Sequence, residues 1–228
     1  MLTDMAHVLV TEELAESGIE LLRSRGHDVQ VRLGLSPADL RSHVSEVDAL
    51  IVRSATQVDA QLLEAGNRLQ VVGRAGVGLD NVDTMAATAR GILVCNAPES
   101  NVVSAAEHSV GLLLALARNV AQAHGALVEG RWERSLWTGV ELLNKTVGIV
   151  GLGRVGRLVA QRLSGFDLQI LAFDPFVSSE SAREVNAEIV DLDDLLGRSD
   201  FVTVHLPKTE ETVGLFDAAR FSKFKSAA

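Results

Sequence analysis

The chain has 228 residues, 47% of them hydrophobic, with 30 acidic against 21 basic side chains and a formal net charge of −9. That apolar share can fill buried cores in one large or two small domains, while the acid excess excludes a basic face for nucleic acid or an anionic membrane. The single cysteine, Cys95, excludes an intrachain disulfide and fits a reducing compartment; within an apolar run it is expected to be a small buried hydrophobe.

In chain order, residues 1–7 show neither a basic nor an apolar region of a secretory signal. A short apolar strand is expected over 8–10. A helix over 12–25 follows, with Leu14, Ile19, Leu21 and Leu22 apolar and Gly26 closing it. A second strand falls over 29–31. Ser36 then caps a helix with Pro37 at its first position. Strands over 49–52, 69–72 and 92–95 alternate with helices over 59–65 and 84–90, and a glycine-rich turn fills 73–78. This alternation implies a parallel, doubly wound sheet.

One long helix is expected over 101–127. Residues 110–117 are apolar nearly all round and should be buried. The longest apolar stretch there is too short to span a bilayer, so no membrane partner is expected and the chain reads as cytoplasmic. The helix is the natural link between two domains, 1–98 and 99–228. Trp132 and Trp137 lie amid charges in 130–144, which suits either an interface or local packing.

Residues 146–176 carry the most specific pattern. A β-branched run at 147–150 suits a strand buried on both faces. Gly151, Gly153 and Gly156 follow with GxGxxG spacing and lead into an amphipathic helix. A second apolar run, 170–173, ends at Asp174, about twenty residues beyond the glycines. In such a unit the first glycine permits the turn, the second lets a pyrophosphate approach the backbone, and the third lets helix and sheet pack closely. The helix start attracts the phosphates. Asp174 can accept hydrogen bonds from ribose hydroxyls and would repel a 2′-phosphate; Pro175 and Phe176 offer it no cation. The cofactor expected is therefore NAD. Beyond it come helices over 179–186 and 192–196, strands over 188–190 and 201–206, and a final loop and helix over 209–228.

The stretches Val52-Arg53-Ser54-Ala55-Thr56, Gly73-Arg74-Ala75-Gly76-Val77-Gly78-Leu79-Asp80-Asn81-Val82-Asp83, Asn96-Ala97-Pro98, Ala106-Glu107-His108 and Val204-His205-Leu206-Pro207 resemble the D-isomer-specific 2-hydroxyacid dehydrogenases. Arg53-Ser54-Ala55-Thr56 with Gly73-Arg74-Ala75-Gly76 is most similar to the branch acting on 3-phospho-D-glycerate. The resemblance implies an α/β fold: a flavodoxin-like substrate domain plus a Rossmann NAD-binding domain, incomplete at its C-terminal end, both with parallel sheets. It implies NAD-dependent oxidation of a small anionic 2-hydroxy acid, as a first step towards serine, by a homodimer or higher oligomer formed through the NAD domain.

The same resemblance makes Arg53, Ser54, Arg74 and Asn101 substrate contacts, with backbone N–H groups of Ala75, Gly76 and Val77 holding a carboxylate. Val77 would also touch the nicotinamide, Arg154 and Val155 the pyrophosphate, and His205, Leu206 and Pro207 the cofactor cleft. The family's catalytic arginine, glutamate and histidine lie further along than residue 228. No catalytic residue and no metal ligand is expected within the chain, which alone is expected not to turn over. A non-catalytic NAD-binding module is the competing expectation, along with a dehydrogenase of another D-2-hydroxy acid. A phosphoacceptor domain is disfavoured because Arg53 stands where its acid belongs.

Overall fold

The computed structural model describes residues 5–226. The chain divides between Asn101 and Val102 into two compact units.

The first unit holds strands β1 (His7–Val10), β2 (Asp28–Val31), β3 (Ala49–Val52), β4 (Val71–Arg74) and β5 (Leu93–Asn96). Helices α1 (Glu16–Ser24), α2 (Pro37–Val44), α3 (Ala60–Ala65) and α4 (Thr84–Ala89) connect them. The strands form one parallel sheet in the order β2-β1-β3-β4-β5. Side chains alternate across it, as the two-residue period of a strand demands. Leu9, Leu50, Val52 and Val72 pack on one face against Leu40 and Val44 of α2 and Leu62 and Leu63 of α3. Val8, Val10 and Val29 face the other way, against Ile19 of α1. Caps fix the helix starts: Ser36 accepts from the Asp39 N–H at 3.2 Å and Asp59 from the Leu62 N–H at 2.8 Å.

Two expectations for this unit are corrected. The first helix begins at Glu16 and not at Glu12, because the Glu12 side chain reaches across the sheet to the loop after β3. Cys95 is exposed. It lies on the edge strand β5, where every residue but Val94 is exposed and Val94 alone turns to the core.

The second unit holds α5 (Val102–Ala117), α6 (Val120–Val128), β6 (Thr146–Val150), α7 (Arg154–Leu163), β7 (Gln169–Phe173), α8 (Ser179–Arg183), β8 (Ala187–Ile189), α9 (Leu192–Arg198), β9 (Phe201–Val204) and α10 (Ala218–Phe221). Its parallel sheet runs β8-β7-β6-β9. Val147, Ile149, Ile170 and Ala172 pack against Val159 and Leu163 of α7 and Ala106, Leu113 and Ala117 of α5. Val150 and Leu171 face Leu192, Leu195 and Leu196 of α9. Gly148 sits on that second face, and a Cβ there would collide with the side chains of Leu195 and Ser199. The missing side chain is what lets α9 lie against the strand.

The long helix expected over 101–127 is two helices. Asn119 takes a left-handed conformation, φ 52° and ψ 35°, which a short polar residue tolerates. The Ala117 carbonyl, freed from the ladder, accepts the Val140 N–H at 2.7 Å. Nor is α5 buried all round. Leu112 and Leu116 are 59% and 66% exposed, while Ala106, Leu113 and Ala117 form the single buried stripe. Trp132 is exposed and Trp137 half-buried. Among the described residues, no helix is long and apolar enough to cross a membrane, and no group of three metal-ligating side chains converges.

Candidate functional site

In the second sheet the chain runs outward from β6 through β7 to β8, then returns to place β9 on the other side of β6. The connections therefore diverge between β6 and β9, and the carboxyl ends of these strands are where such sheets bind ligands. Gly151 leaves β6 with φ 95°, and a Cβ there would lie 2.6 Å from the His205 carbonyl oxygen. Both the backbone angle and the close crossing demand glycine. Across that crossing the His205 N–H donates to the Val150 carbonyl at 2.8 Å, and Leu206 packs against Gly151.

Gly153 precedes α7 with nothing within 4 Å of a built Cβ and no side-chain cap. The helix start, with Arg154 and Val155 at its first two positions, thus presents its amide end to open space, the arrangement that attracts phosphate. Gly156 lies one turn in, where a Cβ would strike the Gly151 carbonyl. Asp174 follows β7. Its Oδ2 accepts the Leu152 N–H at 2.8 Å and its Oδ1 the Phe176 N–H at 2.9 Å. Each oxygen keeps further acceptor capacity, so the carboxylate is held in orientation and can still take hydroxyl donors. The glycine cradle, the open helix start and this carboxylate fit NAD.

His205 is half-buried, and its Nε2 lies 3.0 Å from Thr203 Oγ1. Burial pushes its imidazole below the ordinary 6.5. It lines an apolar groove of about 530 Å³ with Leu112, Leu116 and Phe201. Pro207 is exposed, its carbonyl accepting from Thr212 Oγ1 at 2.6 Å.

At the carboxyl edge of the first sheet, Val52 and Arg74 are paired in register. Arg53 therefore lies one residue beyond the level of Arg74, at the same carboxyl edge of adjacent strands. The Arg74 guanidinium folds over Gly76, where a Cβ would collide with it, and its Nε is buried without a partner. Arg53 is exposed, with Nη1 3.3 Å from the Glu13 carbonyl; Ser54 beside it is also exposed. Of the three N–H groups expected to hold a carboxylate, Ala75 donates to Val52 at 2.8 Å and Gly76 to Arg74 at 2.8 Å. The Val77 N–H is the one left by these bonds. Asn101 is the last residue of the first unit.

Sequence reasoning assigned no role to Glu12 or Asn81, yet both grip the Arg53–Thr56 loop. The signal available for Glu12 was its place: an acid two residues past the end of β1, opposite β3, where the strand order of the first sheet reverses.

An open parallel sheet with this glycine turn, helix start and carboxylate is a dinucleotide-binding unit. Residues 110–228 match the family described as D-isomer specific 2-hydroxyacid dehydrogenase, NAD binding domain, and the chain belongs to that family. It is 52% identical over 220 residues to D-3-phosphoglycerate dehydrogenase of Mycobacterium tuberculosis and 47% over 218 residues to that of Archaeoglobus fulgidus; both alignments cover 96% of this chain. The chain spans 41% of the length of each of these curated relatives. Among solved structures, the NAD-dependent formate dehydrogenase of Staphylococcus aureus in complex with NAD aligns with TM-score 0.84 and 34% identity, over 96% of this chain and 70% of that one. The TT0316 protein of Thermus thermophilus aligns with TM-score 0.88 and 32% identity, over 96% and 70%.

Proposed function

We propose that the chain binds NAD through its second unit and 3-phospho-D-glycerate through its first, for oxidation to 3-phosphohydroxypyruvate. The observation that carries the substrate reading is the pairing of Val52 with Arg74, which sets Arg53 one residue beyond Arg74 at the same carboxyl edge of adjacent strands. Two guanidinium groups there suit a small ligand bearing both phosphate and carboxylate, since each can grip such an anion with paired donors. When bound, NAD supplies the hydride acceptor. The chain's own residues bind and orient: Asp174 takes ribose hydroxyls, the start of α7 faces phosphate, and Arg53, Ser54, Arg74 and the Val77 N–H hold the anion.

We assign no proton carrier among these residues. His7 pairs with Asp28 at 3.0 Å at the amino ends of β1 and β2, and His205 Nε2 is taken up by Thr203 Oγ1 at 3.0 Å. Self-association through the second unit is part of the same reading, supported by exposed Leu112, Leu116, Leu127, Val128 and Trp132. Light scattering on the wild type and on Leu116→Glu checks it, with a monomer expected for the variant.

Calorimetric titration tests the ligand assignment. Arg74→Ala should weaken 3-phospho-D-glycerate about tenfold or more and leave NADH unchanged. D-lactate, which lacks the phosphate, should bind more weakly than 3-phospho-D-glycerate. Equal binding of the two acids would move the assignment to another D-2-hydroxy acid.

A further inference from the structure

The loop at residues 53–56 is held from two sides by side chains distant in sequence. Glu12 Oε1 accepts the N–H groups of Arg53 at 2.8 Å and Thr56 at 3.0 Å, and its Oε2 accepts that of Ala55 at 3.0 Å. Asn81 Nδ2 donates to the carbonyls of Arg53 at 2.7 Å and Thr56 at 2.6 Å. Thr11 Oγ1, 2.9 Å from Thr56 Oγ1, fastens the same end. These bonds leave the Ser54 N–H and hydroxyl ungripped at the crest of the loop, beside the Arg53 side chain.

We infer that Glu12 and Asn81 are positioning residues that fix the backbone of this loop, so that Arg53 and Ser54 meet the anionic substrate pre-arranged. The inference rests on the proposed role of those two residues as substrate contacts. Three N–H donors converging on one carboxylate define a single backbone path, and only an ionised acceptor satisfies all three well. Asn81 is 4% exposed, and its Oδ1 is buried without a partner. That orphaned oxygen is the cost of aiming both amide hydrogens at the loop, a cost associated with functional placement. Pre-arrangement matters here because a loop ordered only on binding would subtract its ordering entropy from affinity.

The test uses the 228-residue chain with 3-phospho-D-glycerate as probe, comparing wild type, Glu12→Gln, Glu12→Asp, Asn81→Ala and Arg53→Ala. Val44→Ala, a core change in α2 away from the loop, controls for lost stability. Glu12→Gln keeps the shape but removes the charge and turns a donor towards the loop. It should weaken the probe about tenfold and speed amide exchange at Ala55 and Thr56. Asn81→Ala should act alike, Glu12→Asp should recover most of the affinity, and Val44→Ala should leave affinity unchanged. If Glu12→Gln frees the amides yet binds the probe as the wild type does, while Arg53→Ala loses it, the substrate site stands and the positioning role is overturned. If Arg53→Ala binds normally, the substrate assignment fails, and the positioning role falls with it.

Discussion

Asp174 and Gly148 show how single residues set the second unit's chemistry and packing. The Asp174 carboxylate is oriented by two backbone N–H groups before any ligand arrives, so it offers hydroxyl donors a charge-assisted bond worth about 1.5–3 kcal/mol. Asp174→Ala should weaken NADH by roughly ten- to over a hundredfold and narrow the gap to NADPH, since the repulsion of a 2′-phosphate goes too. Fluorescence titration of both cofactors checks this, and an unchanged NADH affinity would remove the ribose assignment. Gly148 acts through packing alone. A methyl group there meets Leu195 and Ser199 side chains, so Gly148→Ala should cost about 1–3 kcal/mol, read from the denaturant midpoint of the second unit.

At the scale of elements, the break between α5 and α6 carries its own prediction. Asn119 holds positive φ, which alanine adopts only at a cost and glycine adopts freely. Asn119→Ala should destabilise the chain by about 1 kcal/mol and Asn119→Gly should be close to neutral, by thermal melting. The sequence could not show this break, because the Val140 N–H that takes the Ala117 carbonyl lies 23 residues away. The same reason hid Glu12, whose partners lie 41 to 44 residues on. What was legible is local. Buried runs such as Val147 and Ile149 read as strands because both faces of the sheet are covered. The glycines and Asp174 read as a nucleotide unit because their spacing is set by one turn and one helix. Cys95 misled for the converse reason: an apolar run does not reveal that its strand lies at an edge.

Across the whole molecule, three carboxylates tie stability to pH. The His7 N–H, then Arg68, holds Asp48 below its ordinary 3.8. The Thr146 N–H, with Lys225, does the same for Asp200. Burial opposes ionisation of Glu12, but the N–H groups of Ala55, Thr56 and Arg53 outweigh it and hold the carboxyl below 4.5. Folded values below unfolded ones mean that the unfolded chain binds more protons in acid. This stabilisation is complete above the unfolded values and is lost as pH falls through the folded ones. His205 adds an earlier and shallower loss, starting near 6.5, because the unfolded imidazole accepts a proton that burial disfavours. Denaturant midpoints should therefore decline gently below about pH 6.5 and steeply below about pH 4. His205→Gln should flatten the gentle limb and leave the steep one. Asp48→Asn should cost about 1–2 kcal/mol at pH 7, a deficit that shrinks as pH falls below about 4, where the unfolded carboxylate takes up its proton before the native one does. A deficit constant from pH 7 to pH 3 would show that Asp48 acts by shape and not by charge.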